Sequence, residues 1–548
     1  MAREKINFNN LNIKFQNFAD YYNNSQPEEC PQHSYKLLPD IEIAIDIVEK
    51  FKNKKIIIYG DYDCDGITAT VTMLKGLKYL GFPFVDYYIP HRVEGYGMNQ
   101  NSVNKIIREG YDLVITVDTG ITSVDFTRQF KEAGVEVIIT DHHEPLRDGT
   151  LPPAKAVIDC KRQDSTYPFR DICGCVVAYK FIKGLFDTEG KPFPEDVFLP
   201  LATMGTVADV MPLTDENRTI VKNGLEIIHK NPAEAFKKLT KAIDKYSMLE
   251  TMKASDIAFY IGPLINASSR VGELNFSVKL LQNSDNEAIC EECSRQLAEY
   301  NEYRRKITAD IESHAADGVK NFYPNLSNHK VPVVIAGREW NKGVVGIVAS
   351  HIVETYGVPA IVLSLVDDKL TGSARSINDI SMIAMLDYCK DILTTYGGHT
   401  GAAGLSLPVS RINEFRQRLC EYSDKFLNAE NYRVIHDISA KLSFSELTLD
   451  NFHLVDNMEP FGEGNPQPRF YSELYVNAKN IIGSKQDTLK INFGNGTFTT
   501  VEGIMFKAND YLESFNQGEM VKVIYTLGNN VFRGNEKLQL NIQAIERL

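Results

Sequence analysis

The chain has 548 residues, of which 43% are apolar and 24% charged, and its net charge is −13. Such a length exceeds what one hydrophobic core serves, so roughly three or four globular domains are expected, and the acidic balance argues against a surface coated in basic residues. Nucleic acid is not excluded as a ligand, because a local basic groove suffices and metal ions offset clustered acids.

The N-terminal stretch "MAREKINFNN" lacks an apolar signal core, so secretion by that route is not expected. Residues 1–50 read as an N-terminal extension. From residue 54 to about 215, strand-like and helix-like segments alternate. "KKIIIYG", "DLVITVD" and "VEVIITD" are continuous apolar runs of strand length, the pattern of strands covered on both faces. Amphipathic stretches such as "NQNSVNKIIREG" lie between them, which implies an α/β domain over 51–215 built on a mostly parallel sheet. Residues 216–325 read as a helical linker region with long polar helices. "VPVVIAG" restarts the α/β rhythm, giving a second α/β domain over 326–425. Over 430–548 short alternating segments with frequent Gly and Asn turns read as a small antiparallel β-barrel. No run of about 18 apolar residues occurs, so no membrane span is expected. Nine cysteines, scattered along the chain, read as reduced thiols in a cytoplasm.

Acids collect where the apolar runs stop. The first run ends in Asp61, Asp63 and Asp65, the second in Asp118, and the third in Asp141, His142 and His143. "ATMGTVADVMPL" adds Asp209, read as another acid at a strand end. Ligands of a parallel sheet bind beyond the carboxyl ends of its strands, so these groups would share one small volume. Packed carboxylates raise one another's pKa unless a cation is present, and oxygen-rich sites with imidazoles suit Mn²⁺ or Mg²⁺. Five or six such ligands can hold two ions, which roughly 4 Å apart activate water and stabilise the leaving oxygen of a displacement at phosphorus.

A single Asp after a strand is ordinarily a helix cap or turn former, and Asp65 or Asp118 alone would carry no more than that. Four clusters, one with adjacent histidines, make joint coincidence improbable. Cys64 alternates with the acids and reads as packing. Cys173 and Cys175 mark a tight helix start. Cys290 and Cys293 form a CxxC without a second pair at zinc spacing, inside an apparent helix, and also read as packing.

"DYDCDG", "VDTG", "TDHHEP" and "GTVADVMPL" resemble the four motifs of the DHH phosphoesterase superfamily, and "GGHTGAAG" resembles the motif of the DHH-associated domain. "GPLINASSRVGEL", "TGSARS" and "PFGEGNPQPRF" are similar to signatures of the RecJ exonucleases within it. The resemblance covers the chain from about residue 20 onward. It implies a 5′-to-3′ exonuclease on single-stranded DNA, dependent on two Mn²⁺ or Mg²⁺ ions and acting in recombination and repair. It also implies two α/β domains joined by a long helix and facing each other across a cleft, beside an oligonucleotide-binding (OB) fold. Asp63, Asp65, Asp118, His142, His143 and Asp209 match the metal ligands. Asp61 matches the first acid of the motif and either contacts metal or acts through water, and Asp141 matches a group that orients a histidine.

The same resemblance assigns Arg92, Arg270, Ser373 and Arg375 to a pocket for the 5′ end, with Asn266, Gly398 and His399 as further substrate contacts. Bare backbone at Gly397 and Gly398 can approach a phosphate, and the planar fork of Arg pairs two phosphate oxygens. Outside these motifs each Arg would read as an ordinary surface charge. Phe461, Arg469, Phe470, Lys485 and Lys490 are weaker candidates for holding the strand downstream, since aromatics in a barrel are usually core. Single-strand-binding protein and a RecQ-type helicase are the protein partners to test. The chain ends soon after the barrel, so no further C-terminal domain is expected. Two alternatives remain: another DHH-type phosphoesterase acting on short oligonucleotides or cyclic dinucleotides, and a non-catalytic scaffold that binds single strands. The barrel tells against the first and the intact acid set against the second.

Overall fold

A computed structural model of the chain describes residues 6–95, 97–326, 328–483, 486–494 and 499–548. It divides into two compact units. One comprises Glu28–Lys306 and Pro460–Pro466, the other Met1–Pro27, Ile307–Glu459 and Gln467–Leu548.

A short strand near the N-terminus, β1 (Leu11–Phe15), belongs to the second unit. In the first unit, β2 (Ile56–Tyr59) leads into helix α1 (Cys64–Tyr79), followed by β3 (Val85–Tyr88), β4 (Leu113–Val117), β5 (Glu136–Asp141) and β6 (Ala156–Asp159). These strands form one parallel sheet in the order β3-β2-β4-β5-β6. Ile56 and Ile58 of β2 enter the core on one face of the sheet, while Ile57 and Tyr59 enter the core on the other. That is why the run is apolar throughout, and each such fully buried side chain contributes about 1.5–3 kcal/mol. The chain runs outward from β2 to β3, then crosses back to β4 and continues to β5. The strand order therefore reverses between the neighbours β2 and β4, and a crevice opens at their carboxyl ends.

Two buried helices, α2 (Gly174–Thr188) and α3 (Glu195–Ala208), pack on α1. Asp209 follows the last turn of α3. The expectation of a strand end there is corrected: "LATMGTVA" is an apolar helix buried on nearly all sides, and a helix hydrophobic all round has the look of a strand run. Helices continue through α4 (Gly262–Val271) to the 36-residue α5 (Glu287–Phe322).

The second unit holds a five-stranded mixed sheet in the order β10-β11-β9-β8-β7, built from β7 (Val333–Arg338), β8 (Ala360–Val366), β9 (Lys369–Arg375), β10 (Thr395–Gly398) and β11 (Ala402–Pro408). Helix α6 (Val345–Tyr356) connects β7 to β8, a parallel pair. The unit then adds β12 (His436–Lys441), the short helix α7 (Leu449–Asp456), β13 (Phe470–Ile482), β14 (Thr488–Gly494), β15 (Thr500–Met505), β16 (Met520–Phe532) and β17 (Asn535–Arg547). β13 pairs with β16 along its first half and with β14 along its second, with a register shift between Val476 and Ala478, so β13, β14, β15, β17 and β16 close on themselves in the OB manner. β1 pairs in parallel with β12, and Ile6, Phe8, Leu11 and Ile13 pack on Ile438, Tyr471, Ile524 and Ala544. Within residues 1–50, the stretch from Ile6 to Phe15 thus packs and pairs with the C-terminal sheet. No described helix is long and apolar enough to cross a membrane.

Candidate metal centre

Asp61, Asp63 and Asp65 follow β2, Asp118 follows β4, and Asp141 closes β5 with His142 and His143 behind it. Among the described residues, three groups place ligand atoms within 4.8 Å of one another: Asp118, His142 and His143; Asp65, His142 and Asp209; and Asp61, Asp63 and Asp118. All seven site residues expected in this unit's catalytic set are therefore brought together, with Asp118 and His142 each shared by two groups. The His142 Nε2 atom lies 3.0 Å from Asp118 Oδ1, 3.7 Å from Asp209 Oδ2 and 3.8 Å from Asp65 Oδ2.

Local folding fixes each side chain. Asp63 caps α1, accepting from the Gly66 amide at 3.0 Å. Asp65 accepts from the amides of Gly174 (2.7 Å) and Cys175 (2.9 Å), at the positive N-terminal end of α2. Asp118 has φ of 59°, a left-handed conformation that Asp tolerates better than most residues, and its amide donates to Thr140 O. Asp141 accepts from the Ile121 amide on one oxygen. Its other oxygen accepts from the His142 and His143 amides and, at 2.8 Å, from His143 Nδ1. A donating Nδ1–H leaves the His143 Nε2 lone pair available to a metal.

The electrostatics call for a cation. Burial, and then the neighbouring acids led by Asp65, push Asp118 and Asp209 well above the ordinary carboxylate range. Asp61 rises to about 8 through burial and the Asp63 charge, and Asp65 to about 6 for the same two reasons. Burial and the adjacent His143 charge lower His142 to about 3, the neutral form that ligates metals. Burial works against the His143 charge, yet Asp141 outweighs it and lifts His143 to about 9. Asp61 Oδ1, Asp118 Oδ1 and both ring nitrogens of His142 are buried without a hydrogen bond. Buried polar atoms left open in this way, in an oxygen-rich set with two imidazoles, fit Mn²⁺ or Mg²⁺.

Arg92, Asn266 and Arg270 lie in the same unit. The Arg92 guanidinium stacks 4.1 Å from the centre of the Tyr62 ring, donates to Ser269 Oγ at 3.3 Å, and draws the Asp61 pKa down against its burial. Arg270 acts on Tyr62 in the same sense, and Asn266 Oδ1 is buried without a hydrogen bond. Ser373, Arg375, Gly398 and His399 belong to the other unit. Ser373 and Arg375 sit on β9 against the first turn of α6, where a Cβ on Gly346 would fall 3.0 Å from Arg375 Nη2 and 3.3 Å from Ser373 Oγ. His399 tips the β10–β11 hairpin, its amide bonded to Ala402 O.

The sequence reading passed over Tyr62 and Ser269, although both stand inside the motifs. It also missed β6, whose end carries the buried Asp159, pushed up to about 8 by burial and Asp141, and Lys161, whose charge acts on Asp209 and His142. The signal was there in "KAVIDCK", a short apolar run ending in an acid. Among the weaker candidates, Phe461 is buried in the first unit rather than set in the barrel, Phe470 is barrel core, and Lys490 is paired with Glu502 at 2.6 Å. Lys485 lies outside the described residues.

Residues 55–206 match the DHH family, N-terminal domain, residues 328–425 the DHHA1 domain, and residues 438–544 the RecJ OB domain. The single-stranded-DNA-specific exonuclease RecJ of Bacillus subtilis is 34% identical over 497 residues, 90% of this chain and 61% of that protein. That of Haemophilus influenzae is 30% identical over 525 residues, 92% of this chain and 90% of that one. The chain thus spans about three-fifths of the first relative and nine-tenths of the second. The crystal structure of Thermus thermophilus RecJ in complex with Mn²⁺ superposes with a TM-score of 0.78 at 28% identity, covering 93% of this chain and 72% of that one. A manganese-bound exonuclease RecJ gives 0.60 at 33% identity, covering 71% and 95%.

Proposed function

The chain belongs to the RecJ family of DHH phosphoesterases, and from that premise we propose that it is a metal-dependent exonuclease for single-stranded DNA, removing nucleotides from a 5′ end. The observation that carries this reading is the set of three overlapping ligand groups around buried, unbonded atoms of Asp61, Asp118 and His142. Asp118 stands between two of the groups and is the residue suited to bridge a pair of ions. Two bound Mn²⁺ or Mg²⁺ ions would supply an activated water and a counter-charge for the leaving oxygen.

The chain's own groups do the rest. Asp141 holds the His143 ring by its Nδ1–H, and the α2 amides hold Asp65, so neither side chain reorients as substrate arrives. Arg92, kept flat on Tyr62 and tied to Ser269, offers its guanidinium to a phosphate beside the acids, with Asn266 and Arg270 on α4 as companions. Ser373 and Arg375, at the positive end of α6, are suited to a terminal 5′ phosphate. The exposed turn of Gly398 and His399 is suited to backbone and imidazole contact with a phosphate. Work in recombination and repair, beside a helicase and a single-strand-binding protein, follows from that substrate. All nine cysteines are unpaired thiols, which supports a reducing cytoplasm as the place of action.

The test uses long single strands carrying a label at either the 5′ or the 3′ end, beside a labelled dinucleotide, with and without Mn²⁺. The 5′ label is expected to leave first as mononucleotide, only with metal, and Asp118→Ala to be about 1000-fold slower or worse, since losing a bridging ligand removes several kcal/mol of charge stabilisation. Wild type and Asp118→Ala acting equally would refute nuclease action at this site, and preference for the dinucleotide alone would favour the other DHH phosphoesterases.

A further inference from the structure

Asp209 is less enclosed than Asp65 and Asp118: its side chain is 28% exposed, against 1% and 3%. It sits where α3 ends, and the next residue, Val210, takes a left-handed φ of 57° as the chain turns away. The loop from 210 to 214 is steadied locally, by the Met211 amide donating to Thr206 O at 3.1 Å and Asn217 Nδ2 donating to Pro212 O at 3.0 Å, and also by the turn at 460–466, far downstream in sequence. The Leu213 amide donates to Glu463 O at 2.7 Å. Glu463 is held inside a tight turn: Gly462 donates to Asn465 O at 2.9 Å, and Asn465 Nδ2 returns a bond to Pro460 O at 2.9 Å. Arg218, on the helix that follows the loop, reaches Pro460 O at 3.4 Å. Gly464 has φ of 70°, and a Cβ there would lie 3.2 Å from both Pro212 Cβ and Thr214 Cγ2, so the turn lies directly on the loop. Gly462 packs as closely on Leu213, which is almost fully buried.

We propose that the turn at 460–466 is a positioning element for the metal centre, clamping the loop that carries Asp209 so that its carboxylate stays aimed at the ion it shares with Asp65 and His142. This rests on the reading of Asp209 as a metal ligand. The turn touches no reacting atom. It acts on residues 210–214 through the Glu463 backbone carbonyl and the close approach that the bare Cα of Gly464 allows. Binding linkage makes the effect mutual: if the turn holds Asp209 for the metal, the bound metal must hold the turn.

The experiment measures Mn²⁺ binding by calorimetry on the full chain. Gly464→Ala and Asn465→Ala are each expected to weaken binding about 10- to 100-fold, the range for residues that support a ligand without being one. On wild type, saturating Mn²⁺ is expected to slow hydrogen exchange at the Leu213 amide and across 460–466, and Asp209→Asn to abolish that slowing. Because the second measurement needs no change in the turn, misfolding of the variants does not shelter the idea. Unchanged Mn²⁺ affinity in both turn variants, or exchange at 460–466 indifferent to Mn²⁺, overturns it while Asp209→Asn still weakens binding. Should Asp209→Asn bind as wild type does, the assignment of Asp209 falls, and the clamp with it.

Discussion

Asp141 spends both carboxylate oxygens on hydrogen bonds within its own strand end and the neighbouring turn. Burial alone would raise its pKa, but the His143 charge and those bonds bring it down to about 2. It is therefore an anion at every working pH, and its task is to fix one histidine tautomer. Asp141→Asn is expected to leave the fold intact and weaken Mn²⁺ binding about 10- to 100-fold, as loss of a ligand-orienting carboxylate does, with calorimetry as the check. At this scale the sequence was informative wherever an acid directly followed a continuous apolar run, as with Asp61, Asp118 and Asp141. It marked Asp65 as an acid of the site but not what holds it: the side chain looks like a cap for its own helix yet accepts from the amides of residues 174 and 175, and nothing local encodes that partnership.

Helices α2 and α3 approach α1 closely at the metal centre, and glycine makes the approach possible. A Cβ on Gly205 of α3 would fall 2.4 Å from Asp65 Oδ1 and 2.7 Å from Cys175 Cβ, and one on Gly174 2.6 Å from Asp118 Cβ. Gly205→Ala should therefore overpack the junction at a cost of about 1–3 kcal/mol. The expected outcome is a lower melting temperature together with reduced Mn²⁺ affinity, because the displaced group is Asp65 itself. A normal melting curve with full affinity would show that the helices yield. The parallel sheet was readable from its strands' unbroken apolar runs. The helical setting of Asp209 was not, since α3 is apolar on all sides and its period is hidden.

At the scale of the molecule, the metal centre ties stability to pH. Asp61, with a folded pKa of about 8, and His143, near 9, both bind protons more tightly folded than unfolded. Each contributes stability at low pH that is lost as pH rises through the folded value. His142, held near 3, acts oppositely, but only below its unfolded value of about 6.5, so it is silent above that. Between pH 6.5 and 9 (the window set by those values) the metal-free protein should melt at progressively lower temperature. Mn²⁺ should raise the melting temperature by an increment that grows across the same range, because binding displaces these protons. A metal-induced increment that is flat or shrinking with pH would contradict the assignment of Asp61 to the centre. The change of texture along the chain, from α/β to helical to α/β to short strands, made the domain classes legible. The pairing of β1 with β12 was not, for no periodicity reports on a partner 425 positions away (Leu11 with His436).

That pairing imposes an order on biosynthesis. β1 leaves the ribosome well ahead of its partner near residue 436, which follows only after some tens of seconds at about 5–20 residues per second. Until then Phe8, Leu11 and Ile13 have nothing native to cover them. The nascent polypeptide must carry an orphaned greasy ribbon until β12 is made, a natural point for a chaperone to hold on.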